Sequence, residues 1–148
     1  MALALKHERP DLRVTATDSS DAALAVAREN ATRLGLDVRI VRADLLDGVP
    51  GAHAVLSNPP YVEEGARLAP EIARHEPPVA LYAGPDGLAV IRRLVVQAGA
   101  SPARVLALEV GAGQAGDVAQ LVRDAGFDDV GVRRDLAGIE RVVVGRRS

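Results

Sequence analysis

The feature that most constrains the fold is a regular alternation of short apolar runs with helical stripes. Alternating apolar residues predict strands at 12–16, 38–41, 54–57, 105–110, 130–134 and 141–144. Apolar residues three or four apart predict helices over 23–34, 88–98 and 115–125, closed by Gly35, Gly99 and Gly126. This alternation indicates an α/β fold with an open, mostly parallel sheet and helices on both faces. The last two strands are joined by too few residues for a crossover helix, so we expect them to pair antiparallel.

Length and composition favour an ordinary globular domain and exclude several classes of site. The 148 residues fit one domain, and the absence of cysteine excludes thiolate zinc sites and thiol catalysis. The three histidines have no ligand partners at useful spacing, so no metal site is expected. A net charge of −2 lacks the basic surface of a dedicated nucleic-acid binder. No apolar run reaches the roughly 18 residues that span a bilayer, and we expect a cytoplasmic protein without membrane contact.

Several polar residues follow directly after predicted strands. In open parallel sheets, ligands bind beyond the carboxyl ends of the strands. The rule therefore points to Asp18, Asp44, the segment 58–61 and the segment 109–113 as candidate functional positions.

The most specific motif is Asn58-Pro59-Pro60-Tyr61, called here the Asn-Pro-Pro-Tyr segment. The two prolines stiffen the chain and remove two backbone N–H donors, so the segment offers carbonyl acceptors without competing donors. The Asn58 side-chain oxygen and the Pro59 carbonyl could hold a planar NH2 group, with the ring of Tyr61 against its plane. The alternative is a rigid turn with Tyr61 as an ordinary core residue.

This segment resembles the signature of S-adenosylmethionine-dependent methyltransferases that methylate a planar, conjugated NH2 group. The whole pattern is similar to the family of peptide chain release factor N5-glutamine methyltransferases. Supporting motifs, in family order, are EPPVAL at 76–81, GPDGL at 84–88, LEVGAGQ at 108–114, RRDLAG at 133–138 and VGR at 144–146. The resemblance implies a Rossmann-like class I methyltransferase sheet, mostly parallel with an antiparallel C-terminal strand. It also implies S-adenosyl-L-methionine as cofactor and a release factor as protein substrate.

The resemblance also implies roles for individual residues. Asp18 matches the acid that binds the ribose hydroxyls, although it could instead cap the following helix. Asp44 matches the acid whose loop meets the adenine, with a plain turn residue as the alternative, and Leu45 is an apolar neighbour of the base. In the Asn-Pro-Pro-Tyr segment, Asn58, Pro59 and Tyr61 are candidate catalytic residues. All four residues of the segment are candidate substrate-binding residues, and Asn58 also lies at the cofactor.

Two parts of the family pattern have no counterpart in these 148 residues. Release factor methyltransferases have an N-terminal helical domain, then a first strand and a glycine-rich turn that supports the methionine end of the cofactor. We therefore interpret residues 1–148 as a single, N-terminally truncated catalytic domain, with Met1 as an internal start or a truncation. Loss of a central strand would leave two open sheet edges, so we expect low stability and little or no turnover.

Three other functions compete with glutamine methylation. The first is N-methylation of an exocyclic amine in DNA or RNA, which two tyrosines, one phenylalanine and the acidic charge disfavour. The second is an inactive fragment. The third is dinucleotide binding, because GAGQAG at 111–116 matches G-x-G-x-x-G with Asp135 further on. Too little chain follows that motif for a dinucleotide fold, so we reject this last reading.

Overall fold

The computed structural model describes residues 1–49, 51–66 and 77–148. The helices are α1 (Ala2–Glu8), α2 (Asp21–Leu34), α3 (Ala89–Ala100) and α4 (Ala115–Asp124), with a 3₁₀ helix at Pro78–Ala80. The strands are β1 (Val14–Asp18), β2 (Val38–Arg42), β3 (Ala54–Ser57), β4 (Val105–Glu109), β5 (Asp129–Arg134) and β6 (Glu140–Arg146). The chain divides into two compact units, Met1–Pro50 and Gly51–Ser148.

The first unit is a two-stranded parallel sheet with α2 packed on it. Strands β1 and β2 pair in parallel from Val14 opposite Val38 to Asp18 opposite Arg42. Helix α2 begins at a capped end, since the Ser20 hydroxyl accepts a hydrogen bond from the Ala23 N–H at 3.3 Å. It ends at Gly35, whose φ of 63° is the left-handed conformation expected of a C-cap glycine. The end of this helix at Gly35 was predicted from the sequence and is confirmed.

The second unit is a four-stranded mixed sheet in the order β3-β4-β6-β5. Strand β3 pairs with β4 in parallel, whereas β6 is antiparallel to both β4 and β5. The antiparallel pairing of the last two strands is therefore confirmed. Its core holds fully buried side chains from the sheet and from both helices, namely Ile91, Ala98, Leu106, Leu108, Val110, Val118, Val122 and Val143.

The described strands form two sheets, with β1 paired only to β2 and β3 only to β4 among the described residues, so the two open edges expected from loss of a central strand are present. One detail differs from the sequence prediction. Gly99 lies inside α3, which ends at Ala100 with Ser101 as its C-cap. A Cβ at Gly99 would lie 2.9 Å from the Ala125 carbonyl oxygen, so this glycine serves a close approach of the chain and not a helix end.

Neither a membrane-crossing helix nor a metal-binding cluster is present in the described part of the chain. None of its helices combines the length and the apolar composition that a span requires. In the same residues, no three histidine, cysteine, aspartate or glutamate side chains are grouped to hold a metal ion.

Arg147 forms hydrogen bonds that link the C-terminal end of the chain to the C-terminal end of α3. Its guanidinium donates to carbonyl oxygens around that helix end, those of Ala98, Gly99, Ser101 and Ala103. The guanidinium carbon also lies 4.9 Å from the centre of the Phe127 ring. A cation at a helix C-terminus that satisfies several orphan carbonyls stabilises the fold.

We predict that Arg147→Ala lowers the free energy of unfolding by about 2 kcal/mol, because a charged group with several carbonyl partners is lost. Urea unfolding followed by far-ultraviolet circular dichroism measures this. The matched control is Arg146→Ala, since Arg146 makes an exposed ion pair with Asp129 at 3.3 Å, worth about 0–1 kcal/mol. Equal effects of the two substitutions would contradict a special role for Arg147.

Candidate functional site

Asp18 ends β1 and its carboxylate organises the start of α2. Its Oδ1 accepts a hydrogen bond from the Ser20 N–H at 2.8 Å, while Ser20 itself caps the helix. The alternative that Asp18 is the helix cap is therefore wrong. The side chain is exposed, and within the described residues Oδ2 has no hydrogen-bond partner. This oxygen is available to accept a hydrogen bond from a ligand hydroxyl.

Asp44 and Leu45 follow β2 and lie beside the end of β1. The two strand ends are joined where the Ala43 N–H donates to the Asp18 carbonyl at 3.1 Å. Asp44 is exposed and begins a turn in which the Asp47 N–H donates to its carbonyl at 3.1 Å. Leu45 has a φ of 58°, the one non-glycine residue with positive φ in the described part of the chain. A leucine in this costly conformation marks a loop that the surrounding structure holds in place.

These residues fit the ribose and adenine of S-adenosyl-L-methionine. A carboxylate with an unoccupied acceptor oxygen suits the hydroxyls of a ribose. Leu45 is half-buried, so part of its apolar surface remains to pack on a base. The chemistry of Asp18, Asp44 and Leu45 thus agrees with the roles that the resemblance implies, which stay predictions.

The Asn-Pro-Pro-Tyr segment follows β3 in the second unit. Pro59 is buried and Pro60 half-buried, whereas the Asn58 side chain is exposed. Within the described residues, nothing hydrogen-bonds the Asn58 side-chain amide or the Pro59 carbonyl. The Asn58 side chain and the Pro59 carbonyl are therefore without a hydrogen-bond partner among the described residues, and their contact with a substrate amide stays a prediction.

Tyr61 lies where the Asn-Pro-Pro-Tyr segment meets the turn after β4. Its side chain is half-buried against the turn after β4, because a Cβ built on Gly111 would lie 3.2 Å from its Cδ2 atom. Its backbone carbonyl accepts a hydrogen bond from Gln114 Nε2 at 3.0 Å. The ring is anchored in the fold and still partly accessible, so contact with a substrate amide stays a prediction.

The chain beyond Tyr61 is joined to a later segment. Val62 and Tyr82 form a parallel bridge, with the Val62 N–H donating to the Leu81 carbonyl at 2.9 Å. The sequence also predicts a short helix at 68–74 and offers His75 and Glu76 as weak candidates for catalysis. All of these positions lie outside the described residues.

The GAGQAG turn uses one of its backbone donors internally, because the Gly111 N–H donates to Gln114 Oε1 at 2.9 Å. The rejection of dinucleotide binding stays a prediction.

Asp86 was not singled out from the sequence and organises the start of α3. Its carboxylate accepts from the Leu88 N–H at 3.1 Å and pairs with the Arg92 guanidinium at 2.5 Å. The Arg92 hydrogen bond, then the Leu88 N–H, lowers the pKa of Asp86 from 3.8 to about 2. An aspartate in a Gly-Pro-Asp-Gly turn before a helix is the signal that could have identified it.

A comparison with protein families gives the identity of the fold. Residues 1–76 match the family model described as "Methyltransferase small domain". The chain belongs to the methyltransferase small domain family. Membership implies S-adenosyl-L-methionine as the cofactor of this fold.

Curated relatives confirm the motif resemblance. The chain is 46% identical over 153 aligned positions to a "Release factor glutamine methyltransferase" of Deinococcus radiodurans, covering 100% of the chain and 54% of the relative. It is 41% identical to the protein of the same name from Mycolicibacterium smegmatis, covering 99% of the chain and 55% of the relative. The chain thus spans about half the length of the curated relatives that it matches.

Solved structures confirm the fold class. A methyltransferase from Pyrococcus furiosus superposes with a TM-score of 0.71 at 16% identity, over 97% of this chain and 66% of that one. The S-adenosylmethionine-dependent methyltransferase SibL gives a TM-score of 0.66 at 22% identity, over 99% of this chain and 46% of that one. At such identities the likeness establishes the fold alone, which is the class I methyltransferase fold.

We predict that the Asp86 carboxyl titrates near pH 2 and that Arg92→Gln raises this pKa towards 3.8. Because the folded-state pKa is lowered, the pair stabilises the fold above about pH 4 and loses this effect as pH falls through about 2. Carboxyl carbon chemical shifts measured between these values test it. Arg133→Gln, on β5, is the control and should leave the Asp86 titration unchanged.

Proposed function

We propose that this chain carries the chemistry for methyl transfer from S-adenosyl-L-methionine to the side-chain amide nitrogen of a glutamine in peptide chain release factors. The observation that carries the proposal is the Asn-Pro-Pro-Tyr segment at the end of β3, with the Asn58 amide and the Pro59 carbonyl unpartnered among the described residues. Its support from relatives is the 46% identity to a protein named "Release factor glutamine methyltransferase".

The acceptors of this segment match the donors of a glutamine amide. An amide NH2 presents two N–H donors in one plane, which Asn58 Oδ1 and the Pro59 carbonyl would accept. An amide nitrogen is a weak nucleophile because its lone pair is delocalised. Accepting both N–H bonds places the nitrogen and stabilises the positive charge that builds on it as the bond to the methyl carbon forms and the methyl–sulfur bond breaks. The methylated nitrogen then releases one N–H proton to water.

Pro59 and Pro60 remove two backbone donors from the segment. Neither has a backbone N–H, so no main-chain donor there competes with the substrate amide. The partly buried ring of Tyr61 would pack against the amide plane and limit its rotation.

The first unit would hold the nucleoside part of the cofactor. When bound, S-adenosyl-L-methionine supplies a methyl group activated by a sulfonium. Asp18 Oδ2 would accept from a ribose hydroxyl, and the Asp44 loop with Leu45 would meet the adenine. The cofactor contact that the resemblance implies for Asn58 stays a prediction.

A release factor substrate places this reaction in the cytoplasm, where translation ends. Direct nucleic-acid binding is not part of the proposal, since the chain carries a net charge of −2.

We predict that Asn58→Ala abolishes transfer and leaves binding of S-adenosylhomocysteine within about threefold of the parent, because the change removes an acceptor for the substrate amide. The assay is single-turnover, with the chain in excess over release factor, and mass spectrometry detects methylated glutamine. These conditions register even one slow transfer per molecule.

Asn30→Ala is the matched control, since Asn30 lies on α2 and accepts a hydrogen bond from Arg33. It should transfer at the parental rate. Cofactor binding without any methylated glutamine would contradict the proposal. Methylated adenine or cytosine in DNA or RNA would favour the competing activity.

We predict that Asp18→Asn weakens binding of S-adenosylhomocysteine by about tenfold or more, because a charged acceptor for a ribose hydroxyl becomes neutral. Asparagine keeps an oxygen for the Ser20 N–H, so α2 should stay capped. Calorimetric titration measures the affinity.

Asp21→Asn is the control, because Asp21 is an exposed carboxylate on the same helix start, 3.5 Å from Arg42. Equal affinity of the Asp18 and Asp21 variants would refute the ribose role. Absence of saturable binding by the parent chain would refute a working cofactor site in these 148 residues.

A further inference from the structure

One side chain, Gln114, is bonded to three separate parts of the second unit. Its Oε1 accepts from the Gly111 N–H at 2.9 Å. Its Nε2 donates to the Tyr61 carbonyl at 3.0 Å and to the Asp86 carbonyl at 3.4 Å. These partners lie after β4, after β3 and before α3 respectively, so one amide joins three loops.

The contacts require a carboxamide of this length. One end must accept and the other must donate, which no aliphatic or charged side chain does. Asparagine is shorter by one methylene and would not span the same partners.

Two glycines leave space for this side chain. A Cβ at Gly111 would lie 2.8 Å from Gln114 Oε1, and one at Gly87 would lie 2.8 Å from Gln114 Nε2. A Cβ at Gly87 would also overlap the Tyr61 carbonyl oxygen. Larger residues at either position would displace the amide from the Tyr61 carbonyl.

Restraint of the Tyr61 carbonyl also restrains the backbone position of Asn58. Only Pro59 and Pro60 separate the two residues, and each proline fixes its own φ and restricts the residue before it. The chain on the other side of Asn58 is held in the sheet, where Ser57 pairs with Leu108. A short, stiff segment fixed at both ends leaves the backbone of Asn58 little freedom to move.

We propose that Gln114 is a positioning residue that fixes the Asn-Pro-Pro-Tyr segment through the Tyr61 carbonyl and so sets where Asn58 meets the substrate amide. The catalytic meaning of this role rests on the proposed function. The structural part, which is the restraint of the segment, does not.

The decisive variant is Gln114→Glu in the 148-residue chain, compared with Gln114→Ala. Glutamate still accepts from the Gly111 N–H, but when ionised it cannot donate to the Tyr61 carbonyl. Protonation restores the donor. Amide hydrogen exchange measured by NMR follows the two hydrogen bonds separately. The Gly111 amide reports the bond that residue 114 accepts, and the Val62 amide, next to Tyr61, reports the bond that residue 114 donates.

We expect exchange at Val62 to be about tenfold faster than in the parent for Gln114→Glu at neutral pH, while Gly111 stays protected. At about pH 3, where the glutamate is largely protonated, Val62 should regain parental protection in this variant. Gln114→Ala should lose protection at both amides at every pH. If Gln114 were needed only for its volume, acid would not restore the protection of Val62 in Gln114→Glu.

Charged neighbours do not interfere with the pH comparison. Asp86, the nearest carboxylate in the bonded loops, has a pKa of about 2 and stays ionised, as does its partner Arg92. Asp117 on α4 faces Arg92 and is present in every variant, so comparison with the parent at the same pH cancels its effect.

Gln120→Ala is the matched control, since Gln120 lies on the same helix and bonds Asp124 at 2.8 Å. It should exchange like the parent at both reporters. Parental protection of Val62 in Gln114→Glu at neutral pH would overturn the proposal, and so would faster exchange that acid does not reverse.

The single-turnover assay adds the catalytic part. We expect Gln114→Glu at neutral pH to lower the maximal transfer rate about tenfold, with the half-saturating release factor concentration nearly unchanged. If the parent transfers no methyl group, the proposed function fails while the exchange data still decide the restraint by Gln114. An unchanged transfer rate beside faster Val62 exchange would overturn the catalytic role alone.

Discussion

The second unit depends on the burial of strand β4 between two neighbours. Leu106 and Leu108 are fully buried, and the strand is parallel to β3 on one side and antiparallel to β6 on the other. Because β3 and β4 run in the same direction, both chains leave the sheet at the same edge. This shared direction brings Tyr61 against Gly111 and within reach of Gln114. The site residues are thus neighbours because of a pairing in the sheet, although they are far apart in sequence.

The first unit applies the same rule on a smaller scale. Parallel pairing of β1 and β2 places Asp18 beside the chain that leads to Asp44. Ser20 caps α2, and the Asp18 carboxylate accepts the N–H of that cap, so its position is fixed before any ligand arrives. Leu45 then adopts a positive φ, a conformation that costs a non-glycine residue about 1–3 kcal/mol. Pre-ordering of the carboxylate and strain in the adjacent loop are both typical of a binding edge.

Features that depend on neighbouring residues were predictable from the sequence, whereas features that depend on distant contacts were not. The Gly35 C-cap follows from local backbone chemistry, and it was predicted correctly. Gly99 was misread as a helix end because its reason is the approach of Ala125, 26 positions away and invisible to periodicity. Gln114 contacts Tyr61 across 53 positions, and a single polar residue with distant partners leaves no repeating pattern. The Asn-Pro-Pro-Tyr segment was recognisable since its chemistry lies within four consecutive residues.

The polarity of the hydrogen bonds also bears on which acceptors remain for a substrate. An amide NH2 brings donors only, so every exposed carbonyl near Asn58 would compete for it. The Tyr61 carbonyl is already used by Gln114, which removes one of the segment's backbone acceptors from the competition for a substrate amide. The Asn58 side chain could also turn its own NH2 towards the substrate. Within the described residues nothing fixes the orientation of this amide. A substrate that brings only donors would therefore select the orientation in which the Asn58 oxygen faces the substrate. Gln114 and the two prolines therefore act in the same sense, because one occupies a rival acceptor and the others remove rival donors.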